Sequence, residues 1–506
     1  MAGMSENSTT EKEPRMNESS YRLVIGLEVH VQLLTRTKLF CGCPTKFGLP
    51  PNSATCPVCI GMPGALPVMN RQAVHLALRA ALALNCRVSA FTKWDRKNYF
   101  YPDLPKNYQI SQYDLPLATD GWLEIDSDGA RKKISIIRVH LEEDAGKMLH
   151  DEKGERQDSL VDLNRAGIPL IEIVSRPDLE SPEQARAYLE EIRLLLRELG
   201  VSDCEMQEGS LRCDANVNIQ VHRANQPSVV TPIVEVKNLN SFRAVERALR
   251  HEADRQYQDF LQAGVATLPK AGKQTRGWDD VRGITVLQRR KEEAADYRYF
   301  PEPDLPPLLV TELAIRELRS QVGELPAAQR QRLERQYGLS PYDSSVLTRQ
   351  GRAFVAYFEE VAAKCGDPKQ ACNWMTNEVL HSMNEVGSDI NQFPIRAEAV
   401  GDLIRAAERA GLNRQRAREV YARMLETRGS AAEALDILGF RAVVDERQLR
   451  DLVRRALAAN QKAVADYKRG KLKAADAIKG AVMRETKGMA NAQMVELIVQ
   501  EELLGE

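Results

Sequence analysis

The stretch Tyr21–Leu33, YRLVIGLEVHVQL, decides how the chain is read. Apolar Leu23, Ile25, Leu27, Val29, Val31 and Leu33 alternate with Val24, Gly26, Glu28, His30 and Gln32, which is the period of a half-buried β-strand. Residues two apart on a strand share a face, so Glu28 and His30 stand side by side, roughly 7 Å apart at Cα. A carboxylate and an imidazole so placed can hold a metal ion or move a proton. The plainer alternative is a pair of solvated polar residues on an open sheet face, and the later strands bear on the choice.

Ser210–Val221, SLRCDANVNIQV, has the same texture: Leu211, Cys213, Ala215, Val217 and Ile219 alternate with Arg212, Asp214, Asn216, Asn218 and Gln220. Pairing of this strand with the first would bring Asp214 near Glu28 and His30. Ile134–Gly146, ISIIRVHLEEDAG, is a strand ending in an acidic corner of Glu142, Glu143 and Asp144, with His140 and Glu142 on one face with Arg138. Three consecutive acids repel one another unless a cation or hydrogen-bond donors stand close; a solvated turn is the alternative. Leu160–Ser175, LVDLNRAGIPLIEIVS, reads as two apolar strands around a tight turn with Asn164 and Gly167. Helices are expected over Arg71–Asn85, from Ser241, and after Ser181. In the last case a serine cap, Pro182 in the first turn and an apolar face of Tyr188, Leu189, Ile192, Leu195, Leu196 and Leu199 run to Gly200.

Cys41 and Cys43, then twelve residues, then Cys56 and Cys59 form a CGC…CPVC pair. Four soft thiolates in two close pairs suit one tetrahedral zinc ion, a closed and therefore structural site. Four free thiols in a loop would be an oxidation liability. Charge is balanced, 70 Lys and Arg against 71 Asp and Glu, which excludes a globally basic nucleic-acid coat but not a local basic face. Nine cysteines without a hydrophobic leader point to a reducing, cytoplasmic setting. No apolar run approaches a membrane span. Residues 1–19 are polar and expected to be a disordered tail.

The texture changes near the proline-dense Glu302–Leu308: strand-rich before it, almost unbroken helical patterning after it. The fold class expected is α+β, a strand-rich domain over 20–305 followed by an all-α helical domain over 306–430 and a small helical tail domain over 431–506. Lys93–Asp114 interleaves Lys93, Arg96, Lys97 and Lys106 with Trp94, Tyr99, Phe100, Tyr101, Tyr108 and Tyr113, a composition that can seat a nucleotide or can equally be an aromatic core. Thr275–Pro307 mixes Arg276, Arg289, Arg290, Lys291, Glu292, Glu293 and Arg298 with aromatics, either a grip for phosphate and carboxylate or a salt-bridge mesh. Lys468, Arg469, Lys471, Lys473, Lys479, Arg484 and Lys487 make a locally basic tail suited to phosphate backbones. There is no G-x-x-x-x-G-K-[ST] loop and no G-x-G-x-x-G fingerprint, so any nucleotide is held with a metal ion on its phosphates. Glu28, Glu142, Glu143 and Asp214 can supply oxygen ligands to Mg²⁺, and His30 leaves room for Mn²⁺ or for a base.

These strings, from VIGLEVHVQL through KWDRKNYFYPDLPKNYQISQYD, HLEEDAGK, EGSLRCDANVNIQ, EVKNLNSF and DYRYFPEPDLPPL to TKGMANAQMVELI, resemble the B-subunit family of the tRNA-dependent Asp/Glu amidotransferases, in order from about residue 21 to 505. The resemblance implies a cradle-shaped domain over 20–305 and a tRNA-contacting tail. It implies a heterotrimer with an amidase-like A-subunit, which releases ammonia from glutamine, and with a small C-subunit. The chain would bind Glu-tRNA(Gln) or Asp-tRNA(Asn), phosphorylate the side-chain carboxylate with ATP and let ammonia displace phosphate; a non-discriminating aminoacyl-tRNA synthetase is a further implied partner. Carried over residue by residue, the catalytic and magnesium pocket falls on Glu28, His30, Glu143 and Asp214 with Glu142 adjacent. Lys97, Tyr99 and Lys106 fall along the polar ammonia route and are grouped with Glu142 as cofactor-binding. The four cysteines match zinc-bearing members. The rival readings are a non-catalytic, zinc-stabilised tRNA-binding scaffold of the same complex and a free-standing nucleic-acid-binding protein.

Overall fold

In the computed structural model the opening stretch is the strand Ser20–Gln32, which runs through the middle of a ten-stranded sheet. The described residues are 20–127, 129–149, 158–223, 226–263, 272–290, 296–440, 446–486, 490 and 492–504. The expected tail over 1–19, and Lys291, Glu292, Glu293 and Lys487, lie outside them.

From one edge the sheet runs Ile284–Arg290, Gln274–Asp279, Val234–Leu239, Leu211–Arg223, Ser20–Gln32, Pro169–Ser175, Ala130–Glu143, Ala118–Ser127 and Arg87–Val88, with Gln226–Val230 paired to Leu211–Arg223. Neighbours are antiparallel except Val234–Leu239 with Gln274–Asp279. The alternation of the sequence becomes two faces. Ile25, Leu27, Val29 and Val31 join Val139, Leu141, Ile171, Ile173, Leu211, Ala215 and Val217 in one buried core. Helices Arg71–Ala83, Pro182–Glu198 and Phe242–Ala263 cover that face, each started by a side-chain cap: Asn70 accepts from the Gln72 and Ala73 amides, Ser181 from Gln184, and Ser241 from Ala244. Such caps answer amides that lack helical partners. Tyr188, Leu189, Ile192, Leu195, Leu196 and Leu199 are all buried, and Gly200 leaves the helix at φ +61°, a conformation glycine adopts freely.

Leu160–Asp162 and Pro169–Ser175 do flank a turn, with Gly167 at φ +87°. They do not pair with each other: the first pairs Lys147–Leu149 and the second enters the large sheet. A small sheet of Phe300–Pro301, Asp95–Asn98 and Tyr108–Ser111 carries part of the aromatic stretch beside the end of Ala130–Glu143, where Gln109 Nε2 donates to the Glu143 carbonyl at 2.7 Å.

The chain divides into two compact units, residues 1–327 and 328–506. Helix Glu312–Val322 packs in the first unit through Leu318 and Val322. The second unit is helical and holds two cores. One gathers Leu347, Phe354, Phe358, Val361, Met375, Val400, Leu403 and Val420, and also Ala431 and Ala434. The other gathers Leu449, Val453, Ile478, Val482, Val495 and Val499. The expected α+β class, strands first and helices after, is the architecture observed. Among the described residues no helix is long and apolar enough to cross a membrane.

Candidate metal and phosphoryl site

Strand register builds the site on the face of the sheet opposite the helices. His30 stands opposite Arg212 on one side and Glu172 on the other, and Glu172 stands opposite His140. Directly opposed residues share a face, so Arg212, His30, Glu172 and His140 form one row across four strands. Glu28 stands opposite Asp214, two residues along from His30 on the same face. The expectation that pairing would bring Asp214 to Glu28 and His30 describes this arrangement.

His30 Nε2 lies 3.3 Å from a Glu172 oxygen and 4.0 Å from Glu142. His140 Nε2 lies 3.4 Å from both acids, and Ser111 donates to Glu142 at 3.1 Å. Burial alone pulls both imidazoles down, but the carboxylates outweigh it: His30 is raised above its usual value by Glu172 and Glu142, and His140 is raised to about 9 by the same pair. Burial pushes Glu142 and Glu172 up, and the histidines hold both below the ordinary carboxylate range. The two acids and the two imidazoles thus favour one another's charged forms.

His30, Glu142 and Glu172 offer ligand atoms within 4.8 Å of one another. One imidazole nitrogen and two carboxylates suit Mn²⁺ or Mg²⁺. An ion bound there takes the lone pair of His30 Nε2 and so requires the neutral imidazole. Beside this group Glu28 accepts from Asn216 Nδ2 at 2.8 Å, and Asp214 pairs with Lys237, which also pairs with Glu235 at 3.0 Å.

Glu143 does not join them, which corrects the expected set of Glu28, His30, Glu143 and Asp214 as one shell. On a strand, consecutive side chains oppose one another, so Glu142 faces His30 while Glu143 turns with Val139 and Leu141 to the other side. There its carboxylate pairs with Lys106 and accepts the Ile110 amide at 2.9 Å. These residues line a separate pocket with Lys38, Cys59 and Gly167. Of the residues placed on the polar route, Lys97 Nζ lies 5.0 Å over the Tyr297 ring and its charge favours the ionised Glu142. Burial raises the Tyr99 phenol, with the charges of Asp103, Glu142, Asp144 and Glu143 adding to it, and its ring stands edge-on to Tyr297. The stretch Lys93–Asp114 divides: Trp94 is core, edge-on to Phe40, whereas Phe100 and Tyr101 are exposed.

Cys41, Cys43, Cys56 and Cys59 form a second cluster with sulfurs within 4.8 Å of one another, a donor set that fits zinc. Lys38, fully buried, donates to the Ala54 carbonyl at 2.8 Å and lies 3.6 Å from Cys59 Sγ, a positive charge suited to a thiolate centre. Hydrogen bonding from Cys41, with Lys38 nearby, lowers the Cys59 thiol to about 4. In the tail, Lys468, Arg469, Lys471, Lys473 and Arg484 are not buried, while Lys479 pairs with Glu496 at 2.5 Å.

Sequence reading missed Glu172. It sits in PLIEIVS, and the signal available was the lone acid in that apolar run, which burial obliges to find a partner.

Residues 23–316 match a family model described as the GatB/GatE catalytic domain, and residues 356–503 one described as the GatB domain. Curated relatives that carry the name of the B-subunit of aspartyl/glutamyl-tRNA(Asn/Gln) amidotransferase include one from Rhodopirellula baltica, 50% identical over 94% of this chain and 96% of the relative. Others come from Carboxydothermus hydrogenoformans, 46% identical over 96% and 99%, and Thermotoga maritima, 46% identical over 96% and 100%.

Proposed function

The chain belongs to the B-subunit family of aspartyl/glutamyl-tRNA(Asn/Gln) amidotransferases, and from that premise we propose that it activates the side-chain carboxylate of a misacylated tRNA with ATP. It works in the cytosol within a heterotrimer, beside a glutaminase-type A-subunit, the amidase, and a small C-subunit. It converts Glu-tRNA(Gln), Asp-tRNA(Asn) or both to the amidated forms, receiving charged tRNA from a non-discriminating synthetase.

The observation that carries this reading is the row His30, Glu172, His140 with Glu142, in which all but the half-buried His30 are buried. A carboxylate is a poor acyl donor to ammonia because oxide is a poor leaving group. Making it an acyl phosphate requires two anions to meet, which demands charge neutralisation and little covalent chemistry from the protein. His30, Glu142 and Glu172 would hold Mg²⁺ or Mn²⁺, and such an ion neutralises phosphate oxygens when bound. Glu28 and Asp214, with Lys237 and Asn216, extend the polar face over which the anions are positioned. A side-chain carboxylate oxygen bonds to the γ-phosphorus as the bond to ADP breaks. Ammonia then adds to the acyl carbon, phosphate leaves, and the proton shed by nitrogen departs with it. Lys106, Glu143, Tyr99 and Lys97 are candidates for the polar path by which ammonia arrives. The cysteine cluster would hold zinc as a structural ion, and the lysines and arginines of the tail would meet the tRNA backbone.

Release of inorganic phosphate in the reconstituted heterotrimer tests this. Release that requires both ATP and charged tRNA supports it. Normal amidation without such release would favour the non-catalytic scaffold.

A further inference from the structure

Arg212 is the cation of the row, and the chemistry above leaves it without a task. It stands opposite His30, and its guanidinium pairs with Asp144, two residues beyond Glu142, so it lies at the edge of the acidic cluster. Among the described residues it makes one hydrogen bond, from Nη2 to Asp144 Oδ1 at 2.8 Å. Its Nε is buried and has no partner. A guanidinium carries five N–H donors in a planar fork, and a buried donor left unmade is costly.

Asp144 does not depend on Arg212 alone. It also accepts from Gln32 Nε2 at 2.7 Å and from the Ala145 amide at 2.9 Å, and Arg165 Nε stands 3.7 Å away. Of the other cations on this face, Lys237 is taken up between Asp214 and Glu235, while Arg138, on the strand of His140 and Glu142, also has a buried Nε without a partner among the described residues but does not stand opposite His30. Arg212 is therefore a fixed cation with donors to spare, held next to the group suited to a divalent ion.

We propose that Arg212 is a catalytic residue whose guanidinium grips the phosphoryl group in transit, beside His30, Glu142 and Glu172. This rests on the phosphoryl-transfer reading above. The fork matches two phosphoryl oxygens at once, which an ammonium cannot do. The grip strengthens as the bond to ADP breaks, its electron pair leaves with ADP, and the carboxylate oxygen closes on phosphorus; no proton moves in this step. Fixed donors aimed at developing charge are the most effective kind of stabilisation.

The test uses the reconstituted heterotrimer and phosphate release with ATP and charged tRNA. Arg212→Lys, which can keep the pairing with Asp144, should lower kcat about a hundredfold with the KM for charged tRNA changed by less than about twofold, and with glutaminase activity and Tm unchanged. Arg212→Ala should be partly rescued by added guanidinium ion and not by methylammonium. A lysine variant at the parent rate overturns the proposal. So does a raised KM for charged tRNA at constant kcat, which would make Arg212 a group that only binds the substrate, or a loss that tracks Tm and resists rescue, which would make it structural. Absence of ATP-dependent release in the parent complex would instead overturn the underlying reading.

Discussion

Lys106→Met isolates the pocket that received Glu143. The Lys106 and Glu143 side chains are 9% and 4% exposed and form an ion pair. At a hydrogen-bonded separation of about 3 Å and an effective dielectric of about 20, two unit charges attract by about 5 kcal/mol. Methionine keeps the volume and removes the charge, leaving the Ile110 amide as the donor to the Glu143 carboxylate among the described residues. The variant should lose about 3–5 kcal/mol, the range for breaking a buried pair from one side. In a thermal melt this is a fall of roughly 5–8 °C for a unit of this size. The paired variant Lys106→Met with Glu143→Gln leaves no uncompensated charge and should recover most of the loss. A single variant that melts with the parent, or a double variant no better than the single, would refute the reasoning.

Glu172→Gln should weaken Mn²⁺ binding, followed by electron paramagnetic resonance, by about a hundredfold or more, since even partners of a ligand are worth 10–100-fold; unchanged affinity would move the ion elsewhere. Glu28→Ala and Asp214→Ala should each abolish tRNA amidation while glutaminase activity in the complex survives; loss of tRNA binding alone, with the chemical step intact, contradicts their role. Metal analysis should find one zinc per chain, and Cys59→Ser should release it and lower Tm while the chemical step in surviving folded complex persists. Charge reversal at Lys471 and Lys473 should flatten the dependence of tRNA affinity on salt by roughly 0.7–0.9 for each phosphate no longer neutralised; an unchanged slope would leave the basic tail a solvated surface.

What the sequence made legible was whatever a period of two or 3.6 encodes. Strict alternation in Tyr21–Leu33 and Ser210–Val221 fixes which residues share the polar face, so Glu28, His30 and Asp214 were legible as neighbours on one side of the sheet, while the register that sets Glu28 against Asp214 came from the fold. The serine, proline and leucine signals of Pro182–Glu198 all act within one helix, so they survive without tertiary information. Glu172 was hidden because PLIEIVS is apolar on both faces, and nothing local says which face its acid takes. Glu142 and Glu143 read as one acidic corner, yet adjacency along a strand is opposition in space. The order of strands is set by packing across long separations: the neighbours of Ser20–Gln32 are Pro169–Ser175 and Leu211–Arg223. No periodicity specifies that choice.

An isotope experiment reaches the central claim directly. Charged tRNA whose side-chain carboxylate carries ¹⁸O would be converted by the heterotrimer with ATP and glutamine, and the phosphate analysed by mass spectrometry. Activation through an acyl phosphate transfers one labelled oxygen to each inorganic phosphate and leaves the other in the amide. Phosphate free of label, formed alongside amidated tRNA, would contradict the account.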